Sequence, residues 1–318
     1  MIEARPTATA PLVDVAMPEP KPVLVETALP RDRPEISERT IPANLLFAAK
    51  AEPSRGRAQS IGYYPKGCLA GGVELPINGP TWQVMRLSRN RNWGHPSLVR
   101  FLERIAPVVA KETGWPGILV GDMGQPRGGP TPYGHRSHQT GLDVDIWFRP
   151  MPDHRLSKEE REKMSALNLV SDDWKDVNPK TWTPAYAKMI RIAAEQPEVE
   201  RVLVNAAIKK ELCRLEGKQT WRWMAKVRPW YAHHDHIHVR LKCPAGSPHC
   251  KSQPAVPGGD GCGKSKLAFW FSDKVLHPKP KKKGGKPKKQ VLLADLPAAC
   301  KTVLHAPAKV ESLAAGEK

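Results

Sequence analysis

Between Tyr231 and Leu241 the chain reads YAHHDHIHVRL, and its last six residues alternate strictly, Ile237, Val239 and Leu241 against His236, His238 and Arg240. A β-strand sends successive side chains to opposite faces. The segment therefore predicts a strand over Ile237–Leu241, with an apolar face for a core and a polar face carrying two imidazoles side by side. Adjacent imidazoles disfavour double protonation, so such a pair calls for a metal, an acid or a catalytic use. The same logic recurs upstream, where Val144 and Ile146 alternate with Asp143 and Asp145 in a strand expected over Leu142–Phe148. His138 precedes that strand in a loop whose glycines, Gly134 and Gly141, permit sharp turns. Two neutral imidazoles and a carboxylate are a normal zinc ligand set, and three protein ligands leave a fourth position open for chemistry. His138, Asp145 and His238 are the candidate ligands, with Asp143 a candidate for orienting one of them. His154, His233, His234, His249 and His277 have no spacing that singles them out and read as ordinary polar residues.

Around these strands the pattern is mixed. Pro96–Thr113 places Leu98, Phe101, Leu102, Ile105, Val108 and Val109 at helical spacing, with Pro107 as a kink point and Gly114 as the stop. Ser157 to Glu160 carries a capping-box signature. Thr183 and Pro184 open a helix that runs to about Gln196. Val199–Val204 reads as a strand, followed by a capped helix over Asn205–Glu216 that Gly217 ends. A further strand is expected at Ile118–Val120. Strands and helices in no regular βαβ order predict an α+β domain over residues 44–272. The first 43 residues hold eight prolines and no periodicity, which predicts a disordered arm, and residues 273–318 form a Lys/Pro-rich extension.

The net charge of +18 usually points to an anionic partner. Seven lysines of that balance lie in Lys279–Lys289, a stretch interrupted by Pro and Gly that reads as a solvated segment or a polyanion contact. No helix-turn-helix, zinc-finger or aromatic RNA-binding pattern accompanies it, so nucleic acid is not the expected partner. No apolar run is long enough for a membrane span. The opening residues show no signal-peptide core, so an exported protein needs a leader that this chain does not show. Six cysteines without CxxC spacing fit disulfides in an oxidising compartment or unrelated buried thiols, and spacing alone selects no pairing.

Two segments, HRSHQTGLDVD from His135 to Asp145 and WYAHHDHIHVRLKCP from Trp230 to Pro244, closely resemble the motifs of the penicillin-insensitive murein endopeptidases. These belong to the wider zinc-peptidase group of lysostaphin, the D-Ala-D-Ala dipeptidases and the hedgehog domain. The resemblance covers roughly residues 45–272 and reaches Cys300. It implies a small antiparallel sheet with flanking helices and long loops. It also implies one catalytic Zn2+ held by His138, Asp145 and His238, with His135 at the metal site. His236 would act as general base and His233 would line the site as a substrate or transition-state contact. In some relatives a second zinc uses an aspartate and a histidine downstream, but Ser171–Asp176 offers acids and no histidine, so a second ion is not expected. The bridges implied are Cys68–Cys300, Cys213–Cys262 and Cys243–Cys250. The substrate implied is peptidoglycan, cut at D-alanyl–meso-diaminopimelate cross-links in the periplasm, where the basic charge suits an anionic wall polymer. The competing expectation is a non-catalytic wall- or polyanion-binding module on the same fold. A homodimer is admitted by the sequence and required by none of its motifs.

Overall fold

The computed structural model describes residues 38–134, 136–216, 222–278 and 289–309. Its strands are β1 Gln59–Tyr63, β2 Lys66–Ala70, β3 Val73–Glu74, β4 Trp82–Val84, β5 Trp93–Gly94, β6 Ile118–Val120, β7 Asp143–Pro150, β8 Val199–Val204, β9 Val227–Pro229 and β10 His236–Leu241. The helices are α1 Ala43–Ala48, α2 Pro96–Thr113, α3 Lys158–Lys163, α4 Pro184–Glu195, α5 Ala206–Glu216, α6 Arg222–Lys226, α7 Lys264–Leu267, α8 Asp273–Leu276 and α9 Ala299–His305.

Six strands form the main sheet in the order β4-β6-β7-β10-β8-β9. The class is α+β, but the sheet is mixed where the resemblance implies an antiparallel one. β6, β7, β10 and β8 pair antiparallel, while the edge pairs β4/β6 and β8/β9 are parallel. The reason lies in the connections. α2 crosses over between β4 and β6, and α5 and α6 between β8 and β9, and a helical crossover returns the chain in the same direction.

α2 has the expected bounds, continues through Pro107 and ends at Gly114 with φ 75°. His95 caps it, accepting from the Ser97 N–H through Nδ1. Leu98, Phe101, Leu102, Ile105 and Val109 are buried against the sheet, but Val108 is 43% exposed. Val108 sits about 100° around the helix from Val109, just off the apolar stripe. Ser157 and Glu160 make the full capping box of α3. Thr183 precedes α4 without a side-chain cap bond, whereas Asn205 Oδ1 accepts from the Ala207 N–H at the start of α5. Gly217, the arm up to residue 37 and most of the lysine-rich stretch lie outside the described residues.

A smaller core gathers α1, the β1–β2 hairpin and α9 around Phe47, Ile61, Cys68, Cys300 and Leu304. Arg127 Nη1 donates to the carbonyls of Val303, Leu304 and Ala306, satisfying the C-terminal end of α9. Three disulfides are present, Cys68–Cys300, Cys213–Cys262 and Cys243–Cys250, the pairing that the resemblance implies.

Candidate active site

Register builds the site. β10 lies antiparallel to β7 with His238 opposite Asp145, Arg240 opposite Asp143 and His236 opposite Trp147. Ile237, Val239, Val144 and Ile146 are fully buried on the core side. The polar side chains therefore emerge together from the other face, as alternation requires. His138 reaches the same place from the preceding loop. Its φ of 69° is a conformation that non-glycine residues rarely adopt, and its backbone N–H donates to Asp143 Oδ2 at 3.1 Å.

His138, Asp145 and His238 are all buried, and each offers a ligand atom within 4.8 Å of the others. His238 Nδ1 is 2.9 Å and His138 Nε2 3.5 Å from Asp145 Oδ1, and the two imidazole rings meet edge to face at 4.7 Å. This donor set, two imidazoles and one carboxylate converging out of water, fits a zinc ion. Among the described residues it is the group able to hold a metal. His238 turns its other nitrogen, Nε2, to Asp143 Oδ1 at 2.9 Å, and Arg240 Nε donates to that same oxygen at 2.6 Å. Burial alone would push the Asp143 carboxyl up, but Arg240 and His238 overrule it and hold it well below the usual carboxylate range.

His236 stands beside the ligands. Its Nδ1 meets Asp235 Oδ1 at 2.6 Å, and its Nε2 lies 3.7 Å from Asp145 Oδ1. Burial disfavours its charged form, yet Asp145 and Asp235 together raise its pKa. His233 joins the site despite having no spacing to mark it. Its ring lies 4.9 Å from that of His236 and 5.8 Å from that of His238. Its Nδ1–H donates to the Tyr231 carbonyl at 2.6 Å. Burial, with the charges of His238 and His236, drives its pKa down to about 3, so the ring is neutral at neutral pH. Of the site residues expected from the sequence, only His135 lies outside the described residues.

The remaining histidines serve elsewhere. His234 stacks edge-on against Trp174 at 4.9 Å, and His154 pairs with Asp153 and Glu160 at the surface. Asp176 is engaged by Lys210 and Arg214. Sequence reasoning missed Asp122, which follows β6 and raises the His138 pKa through space. Arg91 Nη1 and Arg89 Nη1 grip its two oxygens at 2.7 and 3.0 Å. It also assigned no role to Asp235, which immediately precedes β10 and adjoins His236.

Comparison with known proteins agrees with this geometry. Residues 60–305 match the family described as penicillin-insensitive murein endopeptidase, peptidase M74. A penicillin-insensitive murein endopeptidase of Klebsiella pneumoniae subsp. pneumoniae is 44% identical over 253 residues, 80% of this chain and 88% of that protein. One from Salmonella paratyphi B is also 44% identical over 253 residues, 79% of this chain and 88% of its own length. A buried His–Asp–His group inside a match that spans most of both chains leaves one assignment: this chain belongs to the penicillin-insensitive murein endopeptidase family.

Proposed function

We propose that the protein is a zinc endopeptidase that cuts peptide cross-links in peptidoglycan, at D-alanyl–meso-diaminopimelate bonds, outside the cytoplasm. The observation that carries the reading is the convergence of His138, Asp145 and His238 at the floor of a site shared with His236 and His233. His138, Asp145 and His238 would hold the ion. When bound, zinc polarises the scissile carbonyl and makes water nucleophilic at neutral pH.

The chain's own residues do the rest. Asp235 fixes the His236 ring through Nδ1, which aims Nε2 at the ligand group. From there Nε2 takes a proton from the attacking water and returns it to the leaving amine. Asp143 holds His238 through Nε2, which leaves Nδ1 on the Asp145 side, where it would serve as the ligand atom. His233, held neutral and anchored to the Tyr231 carbonyl, contacts the substrate beside His236. No serine or cysteine nucleophile takes part, so no acyl-enzyme forms for a β-lactam to mimic. Three disulfides support a site of action in an oxidising compartment such as the periplasm, and no described helix is long and apolar enough to cross a membrane.

The purified protein is expected to carry about one zinc per chain and to convert cross-linked muropeptide dimers to monomers, with EDTA abolishing the reaction. Mass analysis of the products identifies the bond. His238→Ala should lose both metal and digestion; digestion that survives in this variant overturns the assignment. A wall-binding module would instead bind sacculi with steep salt dependence and ignore the chelator.

A further inference from the structure

Next to the turn that carries His233 lies a cavity of about 330 Å3, and four aromatic side chains are among the residues that line it. Trp230, Tyr231, Trp174 and Trp270 line it together with Asn205 and Leu276. Trp230 is 50%, Tyr231 53% and Trp174 39% exposed, a concentration of large rings in water that soluble surfaces rarely carry without a ligand. Tyr231 and Trp270 meet at 5.1 Å, and Trp230 lies 6.2 Å from Trp270, so the rings brace one another.

The backbone holding these rings is strained. Trp174, Ala232 and His233 have φ of 60°, 57° and 52°, the left-handed region that costs L-residues about 1–2 kcal/mol each. Asn205 holds the turn, its Nδ2 donating to the Ala232 carbonyl and its backbone N–H to the His233 carbonyl, both at 2.9 Å. Strain of this kind persists where the surroundings over-determine a geometry, commonly at ligand sites. One turn thus sets two things at once: His233 at the catalytic centre, and Trp230 and Tyr231 on the pocket wall. The Tyr231 carbonyl that anchors His233 Nδ1 makes the connection direct.

The lining selects the ligand's chemistry. No charged side chain is among the described residues that line it, although the chain as a whole is strongly basic. The side chain of Asn205 is committed to the Ala232 carbonyl and the Ala207 N–H. The occupant is therefore uncharged and offers flat C–H surface to aromatic faces. In a cross-linked wall polymer the stem peptides carry free carboxylates, whereas the N-acetylated sugar rings are uncharged and present such faces. Three or four peptide residues separate the cut bond from the sugar, a reach of roughly 10–14 Å, and Tyr231 is two residues from His233, within about 7 Å. We propose that this pocket is a sugar subsite, which holds an N-acetylated pyranose ring of the glycan strand while the attached peptide lies across the metal ligands. This rests on the peptidoglycan reading above.

The test uses the zinc-loaded full chain with two substrates, a disaccharide-bearing muropeptide dimer and the same dimer stripped of its sugars. The wild type should favour the sugar-bearing dimer in kcat/KM by several-fold to about tenfold, through KM. In Trp230→Ala and Trp270→Ala that ratio should fall toward one, with circular dichroism and zinc content as in the wild type. Chitotetraose should quench the tryptophan fluorescence of the wild type and not of Trp230→Ala. Equal use of both dimers by the wild type, or an equal loss on both in the variants, overturns the subsite. If neither dimer is cut while chitotetraose still binds through Trp230, the subsite stands and the endopeptidase reading falls.

Discussion

His238 sits between two carboxylates, Asp145 on Nδ1 and Asp143 on Nε2, each at 2.9 Å. Only one can accept a proton from a neutral ring, and Arg240 decides which. Its guanidinium lies over the Tyr64 ring at 4.2 Å and donates through Nε to Asp143, while the Tyr64 hydroxyl lies 2.7 Å from both Glu200 Oε2 and the Leu241 carbonyl and shares its one proton between them. Asp143 is thereby fixed as a charged acceptor for Nε2–H, which leaves Nδ1 with its lone pair on the Asp145 side, where it would serve as a metal ligand. Asp143→Asn keeps the shape but removes the charge that selects the tautomer. Zinc affinity, read by competition with a chelator, should fall about 10- to 100-fold. Asp235→Asn should leave zinc binding in place and lower kcat, because Asp235 orients His236, the proposed base, and touches no proposed ligand. Equal zinc affinity in Asp143→Asn and wild type would remove Arg240 and Asp143 from the metal site.

Which elements were legible in the sequence follows from their length and periodicity. β7 and β10 could be read because alternation over several residues has one interpretation, and α2 because its stripe runs for 18 residues. β4 (Trp-Gln-Val) and β9 (Val-Arg-Pro) have three residues each and, unlike the equally short β6 (Ile-Leu-Val), no unbroken apolar run, and with them the parallel edges of the sheet went unseen. The candidate metal group was legible where its residues ride on alternating strands. Asp122 and Trp174 reach their places through loop geometry that leaves no local pattern. α5 hides a group of the same kind, since Lys209 falls on its buried face. Its Nζ donates to the Met224 carbonyl of α6 at 2.8 Å and to the Asp260 carbonyl, beside bridged Cys262, at 2.6 Å. Burial, aided by Arg228, draws the amine down to about 7. Below that pH both folded and unfolded chains carry the proton and the penalty is constant. Between about pH 7 and 10 the folded state has released it and the unfolded state has not, so stability rises by about 1.4 kcal/mol per pH unit. Urea unfolding at pH 7, 8 and 9 should show this rise in the wild type and not in Lys209→Met. Parallel pH profiles in the two proteins would mean that Lys209 stays charged when buried.

At the scale of the whole molecule, the catalytic strands belong to the main core, while α1, β1, β2 and α9 form the second. Covalent links then set how much of the chain must be in place before the site is stable. Cys68–Cys300 joins β2 to α9 across 232 residues, while Cys243–Cys250 closes a turn of 7 just after β10. If a bridge acts mainly by restricting the unfolded chain, the long closure contributes roughly 5 kcal/mol and the short one roughly 2 kcal/mol. The first is a large share of the 5–15 kcal/mol that typically separates folded from unfolded domains. Replacing Cys68 and Cys300 by Ala should therefore lower the urea midpoint more than replacing Cys243 and Cys250. Zinc content and kcat of the folded fraction should hold in the Cys68/Cys300 variant, because neither cysteine lies among the catalytic residues and Arg127 still holds the end of α9. The reverse order of midpoints would show that the turn after β10 matters through native packing beside His238 and not through loop closure. The protein would then depend on an oxidising compartment for the geometry of its site more than for the stability of its fold.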